Sequence, residues 1–124
     1  MTAPLSGSRI LVVEDEMLLV MNIEATLQDL GCTDMSSAAS SADALTLLAA
    51  RSFDAAMLDV NLDGEKSYAV ADVLIARGIP FLFATGSSDH GERTDLLAWP
   101  VLRKPYLTSD LAAALELLLT QSAH

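Results

Sequence analysis

The feature that most constrains the fold is a rhythm in which short apolar runs alternate with longer helical patterns, about five times along the chain. The first run, residues 10–13, is uninterrupted and mostly β-branched, which is typical of a strand covered on both faces. The later runs lie at residues 35–39, 55–58, 81–84 and 101–102. Such alternation predicts βαβ units and right-handed crossovers. We therefore predict an α/β fold built on a doubly wound five-stranded parallel sheet.

Helical patterns fill the spaces between the apolar runs. In the first pattern, leucine and isoleucine recur at steps of three and four from Leu19 to Leu30, and Gly31 fits a helix stop. Ser40 begins a capping-box pattern that opens the second helix. We predict a third helix from about residue 68 to 77 and a last helix from about residue 109 to 120.

The segment between the fourth and fifth runs, residues 86–100, is poor helix material. It begins Gly-Ser-Ser-Asp-His-Gly, and these residues favour turns over helix. We therefore expect the fourth helix to be short or mobile. The breaker-rich start predicts a loose tail over residues 1–8, followed by one domain over residues 9–121 and a short tail over residues 122–124.

Charge and cysteine content narrow the class of protein. The 7 basic and 17 acidic residues give a net charge of −10, which argues against binding to nucleic acid or to anionic lipid. The longest stretch without a charged residue, 78–88, is too short to cross a bilayer. Cys32 is the only cysteine, and no secretory signal is visible at the start. We therefore expect a cytoplasmic protein that contacts neither membrane nor nucleic acid.

Polar side chains follow four of the five predicted strands. Glu14 and Asp15 follow the first, Asp59 the third, Thr85 the fourth and Lys104 the fifth. Ligands of parallel sheets bind beyond the carboxyl ends of the strands, so these side chains should meet at one edge. Crowded carboxylates need a cation such as lysine or Mg²⁺. With charge neutralised in this way, one carboxylate can accept a phosphoryl group, so the set suggests an aspartyl phosphate.

At these strand ends the sequence resembles a known family. The segments LVVEDE, AAMLDVNLDG, FATG and RKPY occur in order, and each closes an apolar run. In this respect the chain is similar, from Arg9 to Thr120, to the receiver domains of response regulators in two-component signalling. Each motif alone is weak, but four in the right order make a specific signal.

The resemblance implies a flavodoxin-like strand order of 2-1-3-4-5 for the predicted sheet. It also implies a role for each of the residues at the strand ends. Asp59 would be the phosphoacceptor, and Thr85 and Lys104 would bind the phosphoryl oxygens. Mg²⁺ would be held by Glu14, Asp15, Asp59 and the backbone carbonyl of Asn61. The phosphoryl group would come from a histidine kinase or a histidine phosphotransferase. The chain would then be a signalling switch that catalyses its own phosphorylation and dephosphorylation, and not a turnover enzyme.

A narrower likeness concerns RGIPFLFATGSS and DVNLDGEKSYAVADVL. Both are similar to the FATGUY group of stand-alone receivers, which act in alphaproteobacterial general stress signalling with kinases of the HWE/HisKA2 type.

Many receivers carry an aromatic switch residue three positions before the lysine, where this chain has Val101. The sequence ends soon after the last helix, so we expect output through contact with a target protein or through a phosphorelay.

Three other interpretations compete with the phosphoacceptor. Residues 59–64 mimic the start of an EF-hand loop, but Val70 stands where a bidentate glutamate is required. A haloacid-dehalogenase-type phosphatase would carry its acidic ligands late in the chain, whereas here they come first. The third alternative, a pseudo-receiver that binds partners without being phosphorylated, remains an open interpretation.

Two residues that flank the motifs have simpler expected roles. We expect Glu16 to lie in the first helical turn and Tyr106 to be a packing residue.

Overall fold

The computed structural model describes residues 5–62, 65–85, 99–104 and 106–122. The elements along the chain are β1 (Arg9–Val13), α1 (Met17–Asp29), β2 (Asp34–Ala38), α2 (Ser41–Ala50), β3 (Ala55–Asp59), β4 (Asn61–Leu62), β5 (Glu65–Lys66), α3 (Tyr68–Ala76), β6 (Phe81–Thr85), β7 (Val101–Arg103) and α4 (Thr108–Ser122). The five long-range strands are those predicted from the apolar runs. The segment predicted to hold a short or mobile fourth helix lies almost wholly outside the described residues.

A single parallel sheet organises the chain, with strand order β2-β1-β3-β6-β7. This is the predicted order 2-1-3-4-5, because β4 and β5 form a separate two-stranded hairpin. The sequence does not predict that hairpin. In the sheet, Asp59 lies beside Ala84 and Thr85 lies beside Arg103, so the carboxyl ends of the central strands reach the same edge.

Two apolar layers cover the two faces of the sheet. Side chains of a strand alternate between its faces, and β1 accordingly sends Leu11 and Val13 to one layer and Ile10 and Val12 to the other. Helices α2 and α3 pack on the first layer, and α1 and α4 pack on the second. This arrangement confirms the predicted doubly wound class.

Local signals at helix ends are confirmed by the backbone. Gly31 and Gly78 follow α1 and α3 with φ of 94° and 69°, a left-handed conformation that residues with a side chain rarely adopt. At the start of α2, the hydroxyl of Ser40 accepts a hydrogen bond from the Asp43 N–H at 3.1 Å. The predicted boundaries of the third and last helices agree with α3 and α4 within two residues.

The predicted loose tail is wrong for Leu5. This side chain is fully buried in the layer beneath α1 and α4, and its N–H donates to the Leu30 carbonyl at 2.9 Å. The thiol of buried Cys32 donates to the Ser8 carbonyl at 3.5 Å. Residues 5–8 are therefore tied to the end of α1 by packing that the breaker-rich local sequence conceals, while residues 1–4 lie outside the described residues.

Candidate functional site

Four elements deliver polar side chains to the carboxyl edge of the sheet. Glu14 and Asp15 follow β1, Asp59 ends β3, Thr85 ends β6 and Lys104 follows β7. The side chains of four of these residues lie close together, as expected for residues that follow parallel strands. They are Glu14, Asp15, Asp59 and Lys104. Glu14, Asp59 and Thr85 are buried, whereas Asp15 is exposed. The site is thus a polar pocket with a buried floor and one open side.

The carboxylates of Glu14, Asp15 and Asp59 form the acidic part of the site. One oxygen from each lies within 4.8 Å of the others. Carboxylate oxygens are the hard ligands that Mg²⁺ prefers, and this ion keeps several of its water ligands. The donor set fits Mg²⁺, because it offers three convergent carboxylates and an exposed side at Asp15 where water can complete the coordination.

Lys104 provides the positive charge of the site. Its Nζ donates to Glu14 Oε1 at 2.9 Å and to Asp59 Oδ2 at 3.1 Å. Its backbone N–H donates to the Thr85 carbonyl at 2.8 Å, and this hydrogen bond holds the backbone of Lys104 against the end of β6. Burial disfavours the charged ammonium, but the hydrogen bonds to the two carboxylates outweigh burial and raise the pKa of Lys104. The lysine is therefore fully protonated near neutral pH.

Glu14 is a buried carboxyl group whose pKa is raised by its surroundings. Its side chain is 3% exposed, and burial together with the negative charge of Asp59 raises its pKa to about 7, although the Lys104 hydrogen bond acts in the opposite direction. Its second oxygen accepts the Glu16 N–H at 3.1 Å. Glu16 itself is the exposed N-cap residue of α1 and lies outside the group of three carboxylates.

The backbone after Asp59 turns tightly around the carboxylate. Asp59 Oδ1 accepts the Asn61 N–H at 3.2 Å, so each carboxylate oxygen has a partner. Asn61 is exposed and begins the β4–β5 hairpin, and the metal-binding role of its carbonyl stays a prediction. At the end of the hairpin, the buried Ser67 hydroxyl donates to the Asp59 carbonyl at 2.7 Å.

Ser67 and the hydroxyl of Tyr106 are features that sequence reasoning missed. Serine before a helix reads as an ordinary N-cap, yet Ser67 makes no side-chain cap bond and contacts Asp59 instead. Tyr106 packs against the layer under α1 and α4, as predicted, but its buried hydroxyl has no hydrogen-bond partner among the described residues. Burial raises the pKa of Tyr106 to about 12.

A cavity of about 300 Å³ adjoins the site on the α1 side. Its lining residues are Glu16, Leu19, Asn22, Lys104 and Tyr106. Two neighbouring residues of α1, Met17 and Leu18, are 67% and 81% exposed. The cavity therefore extends from Lys104 to the N-terminal half of α1, the part of the helix that carries these exposed apolar side chains. None of the helices in the described part of the chain is long and apolar enough to cross a bilayer.

Comparison with protein families gives one match that spans most of the chain. The model of the response regulator receiver domain matches residues 10–116, which includes every strand end described above. A search of curated protein sequences gives no match.

Two solved structures of proteins named SdrG are similar to this chain in sequence and fold. SdrG from Sphingomonas melonis Fr1 is 45% identical with a TM-score of 0.79, and the match covers 90% of this chain and 96% of that one. The BeF3-activated conformation of SdrG from Pseudomonas melonis Fr1 is 42% identical with a TM-score of 0.76, over 95% and 98% of the two chains.

More distant structures share the fold. The receiver domain of the sensor histidine kinase PA1611 from Pseudomonas aeruginosa PAO1, with a magnesium ion coordinated in its active site cleft, is 25% identical with a TM-score of 0.79. That match covers 93% of this chain and 99% of the other. PhyR from Brucella abortus is 25% identical with a TM-score of 0.77, over 94% of this chain and 49% of PhyR. A structure described as the PhyR stress response regulator is 28% identical with a TM-score of 0.77, over 93% and 46%.

Proposed function

The chain belongs to the response regulator receiver family, and from this membership we propose that it is a phosphoacceptor that takes a phosphoryl group onto Asp59. One observation carries the proposal. The carboxylate of Asp59 lies beside Glu14, Asp15 and Lys104 at the carboxyl edge of a parallel sheet, with Lys104 Nζ 3.1 Å from its Oδ2. Such a set of charges can align a carboxylate with a phosphoryl group and neutralise the charge that the transfer concentrates there.

The proposed donor is a phosphohistidine on a kinase or phosphotransferase. A carboxylate oxygen of Asp59 forms a bond to phosphorus while the bond from phosphorus to the histidine nitrogen breaks. The electron pair of that bond stays on the imidazole, which takes up a proton from solvent. Later a water oxygen attacks phosphorus, the bond to Asp59 breaks, and inorganic phosphate leaves. The chain is therefore a switch whose own residues assist both steps, and not a turnover enzyme.

Magnesium is the proposed cofactor. Glu14, Asp15 and Asp59 would hold it together with the Asn61 carbonyl, and it would supply positive charge opposite the phosphoryl oxygens. The magnesium coordinated in the active site cleft of the PA1611 receiver supports this assignment. The raised pKa of Glu14, caused first by burial and then by the charge of Asp59, supports it as well, because a divalent cation would favour the charged form of both carboxylates.

Lys104 and Thr85 are the proposed ligands of the phosphoryl oxygens. Lys104 already contacts Asp59 Oδ2, and phosphorylation removes the negative charge of the carboxylate, which makes its oxygens poorer hydrogen-bond acceptors. After the transfer, the ammonium of Lys104 therefore forms a stronger hydrogen bond with a phosphoryl oxygen than with Asp59. Thr85 is held one strand away, with its carbonyl bound to the Lys104 N–H. The BeF3-activated conformation of SdrG supports a response of this kind.

The surface beside the site supports docking of a helical partner. Met17, Leu18 and Met21 are each more than half exposed at the start of α1, next to the acidic pocket. An apolar helical face on a histidine kinase or phosphotransferase would bury these side chains and bring its phosphohistidine to Asp59. We propose a kinase of the HWE/HisKA2 type and a role in general stress response in the cytoplasm, supported by the likeness to the PhyR stress response regulator.

Phosphotransfer tests the proposal. Purified protein is incubated with Mg²⁺ and either a small phosphodonor or a radiolabelled phosphorylated kinase, and the acid-labile, base-labile label is followed. We expect labelling of the wild type, none of Asp59→Asn, and full labelling of Asp29→Asn, a matched change at an exposed carboxylate of α1. Labelling of Asp59→Asn would show that the nucleophile is another residue. An unlabelled wild type that still binds the kinase would establish a pseudo-receiver instead.

A further inference from the structure

Ser67 is a buried polar residue that the proposed chemistry does not use. It has no exposed surface, and its Oγ donates to the backbone carbonyl of Asp59 at 2.7 Å. Its own N–H donates to the Val60 carbonyl at 3.0 Å. Two hydrogen bonds thus join residue 67 to the main chain of Asp59 and of Val60, which lie eight and seven positions earlier in the chain. A short, buried bond of this kind is strong and has a fixed geometry.

The loop closed by Ser67 carries the part of the site that lies after β3. Asn61, whose N–H donates to Asp59 Oδ1 at 3.2 Å, pairs with Lys66 in the β4–β5 hairpin. Elsewhere the hairpin is held through Glu65 Oε1, which accepts the Ser41 N–H at 3.2 Å. Glu65 is exposed whereas Ser67 is fully buried, so the serine is the firmer of these two anchors.

The strand ladder gives this part of the main chain weak support. The Val60 N–H reaches the Ala84 carbonyl at 3.4 Å, near the limit of a hydrogen bond. The peptide between Asp59 and Val60 therefore depends on contacts from the loop itself. Rotation of that peptide would turn the Asp59 carboxylate and shift the Asn61 carbonyl, the two groups proposed to share the metal.

We propose that Ser67 is a positioning residue of the phosphoacceptor site, which holds the Asp59–Asn61 backbone in the geometry that binds Mg²⁺ and accepts the phosphoryl group. The inference rests on the proposed function, in which both the binding of Mg²⁺ and the transfer of the phosphoryl group to Asp59 are proposed. Groups that orient metal ligands in this way commonly change metal affinity by about 10–100-fold when they are removed.

The test compares Ser67→Ala with the wild type in two measurements. Mg²⁺ alone is titrated into folded protein and followed by the amide NMR signals of the site, and the rate of labelling by a small phosphodonor is measured at saturating Mg²⁺. We expect a dissociation constant for Mg²⁺ about tenfold higher in Ser67→Ala, and a slower labelling rate even when the ion is saturating. Ser67→Thr keeps the hydroxyl and should recover most of both losses.

Ser41→Ala is the matched control. Ser41 is also a buried serine at a helix start, but its hydroxyl has no hydrogen-bond partner in the described part of the chain. Its removal should change neither the Mg²⁺ affinity nor the labelling rate. If Ser67→Thr proves too large for the site and fails to fold, Ser67→Cys, a weak donor of similar shape, should lie between alanine and the wild type.

The outcomes separate the two proposals. If Ser67→Ala is merely less stable, with unchanged Mg²⁺ affinity and labelling rate, Ser67 is a structural residue and the inference is overturned. If wild-type protein binds Mg²⁺ but is never labelled, the proposed function fails, while a weaker Mg²⁺ affinity of Ser67→Ala would still establish the positioning role.

Discussion

Strands β3 and β7 both end at the site, but they differ in how firmly they are held. All five residues of β3 are buried in the middle of the sheet, whereas β7 is a three-residue edge strand with exposed residues at both ends. The first strand supplies Asp59 and the second leads to Lys104. Asp59, the proposed phosphoacceptor, therefore stands at the end of a wholly buried strand, whereas Lys104 follows a largely exposed edge strand. In a phosphoacceptor the carboxylate must stay in place while the ammonium changes partner, and the two strands suit those roles.

The largest expected difference comes from leucine truncation in the two strands. Leu58 of β3 is fully buried, and Leu58→Ala should lower the free energy of unfolding by about 3–4 kcal/mol. Leu102 of β7 is half-buried, and Leu102→Ala should lower it by about 1 kcal/mol. Urea denaturation without Mg²⁺ measures both. Equal losses would mean that the edge strand is as firmly packed as the centre.

A second prediction concerns the charge crowding beside β3. The pKa of Glu14 is raised in the folded state to about 7 by burial and by Asp59, so the folded state loses stability as pH rises from about 4.5 to about 7. Glu14→Gln removes this penalty. Without Mg²⁺ it should raise the free energy of unfolding by about 1–3 kcal/mol at pH 8, and the gain should vanish toward pH 4.5.

Urea denaturation across this pH range checks the sign. Glu24→Gln, at an exposed position of α1, is the control and should change little. If Glu14→Gln is instead less stable than the wild type at pH 8, the ion pair with Lys104 more than compensates for the burial of the Glu14 charge.

A third prediction addresses the segment after β7. The Tyr106 hydroxyl is buried without a hydrogen-bond partner among the residues that the structure describes, so Tyr106→Phe should leave stability unchanged or raise it by up to about 1 kcal/mol at pH 7. Because burial raises the pKa of Tyr106 from 10.0 to about 12, wild-type stability should fall as pH rises through that interval. In Tyr106→Phe this part of the alkaline loss should be absent, and Tyr68→Phe provides the comparison in thermal unfolding.

The smallest effect is expected at Val101. It is 37% exposed, in the position where many receivers carry an aromatic switch. Val101→Ala should cost less than about 0.5 kcal/mol and should leave the labelling rate unchanged, whereas Val12→Ala in the buried centre should cost about 2 kcal/mol. A large loss of labelling in Val101→Ala would show that the edge strand takes part in the reaction through this side chain.

Sequence reasoning predicted the fold because its signals are local and repeated. Each apolar run became a strand, including the weak run at residues 35–39, since the rhythm of βαβ units leaves few alternative topologies. The same reasoning predicted that Glu14, Asp59 and Lys104 converge, because the residues after parallel strands share an edge. The relief of carboxylate repulsion by Lys104 also agrees with the observed bonds.

The features that were missed depend on contacts between distant segments. Leu5 stands among turn-forming residues, and its burial follows from the end of α1, whose Leu30 carbonyl binds its N–H. The β4–β5 hairpin has strands of two residues, too short for an alternating pattern. The bond from Ser67 to the Asp59 carbonyl spans eight positions and competes with the ordinary N-cap role of a serine. No local pattern encodes any of these contacts.

The central claim is tested most directly by trapping the acyl phosphate. Protein treated with Mg²⁺ and a small phosphodonor is reduced with borohydride, which converts an aspartyl phosphate to homoserine, and its peptides are then sequenced by mass spectrometry. The account predicts homoserine at position 59 and at no other acidic residue, with none formed when Mg²⁺ is chelated. Homoserine at Asp63 or at any other aspartate, 5-hydroxynorvaline at a glutamate such as Glu16, or equal conversion without Mg²⁺ would contradict it.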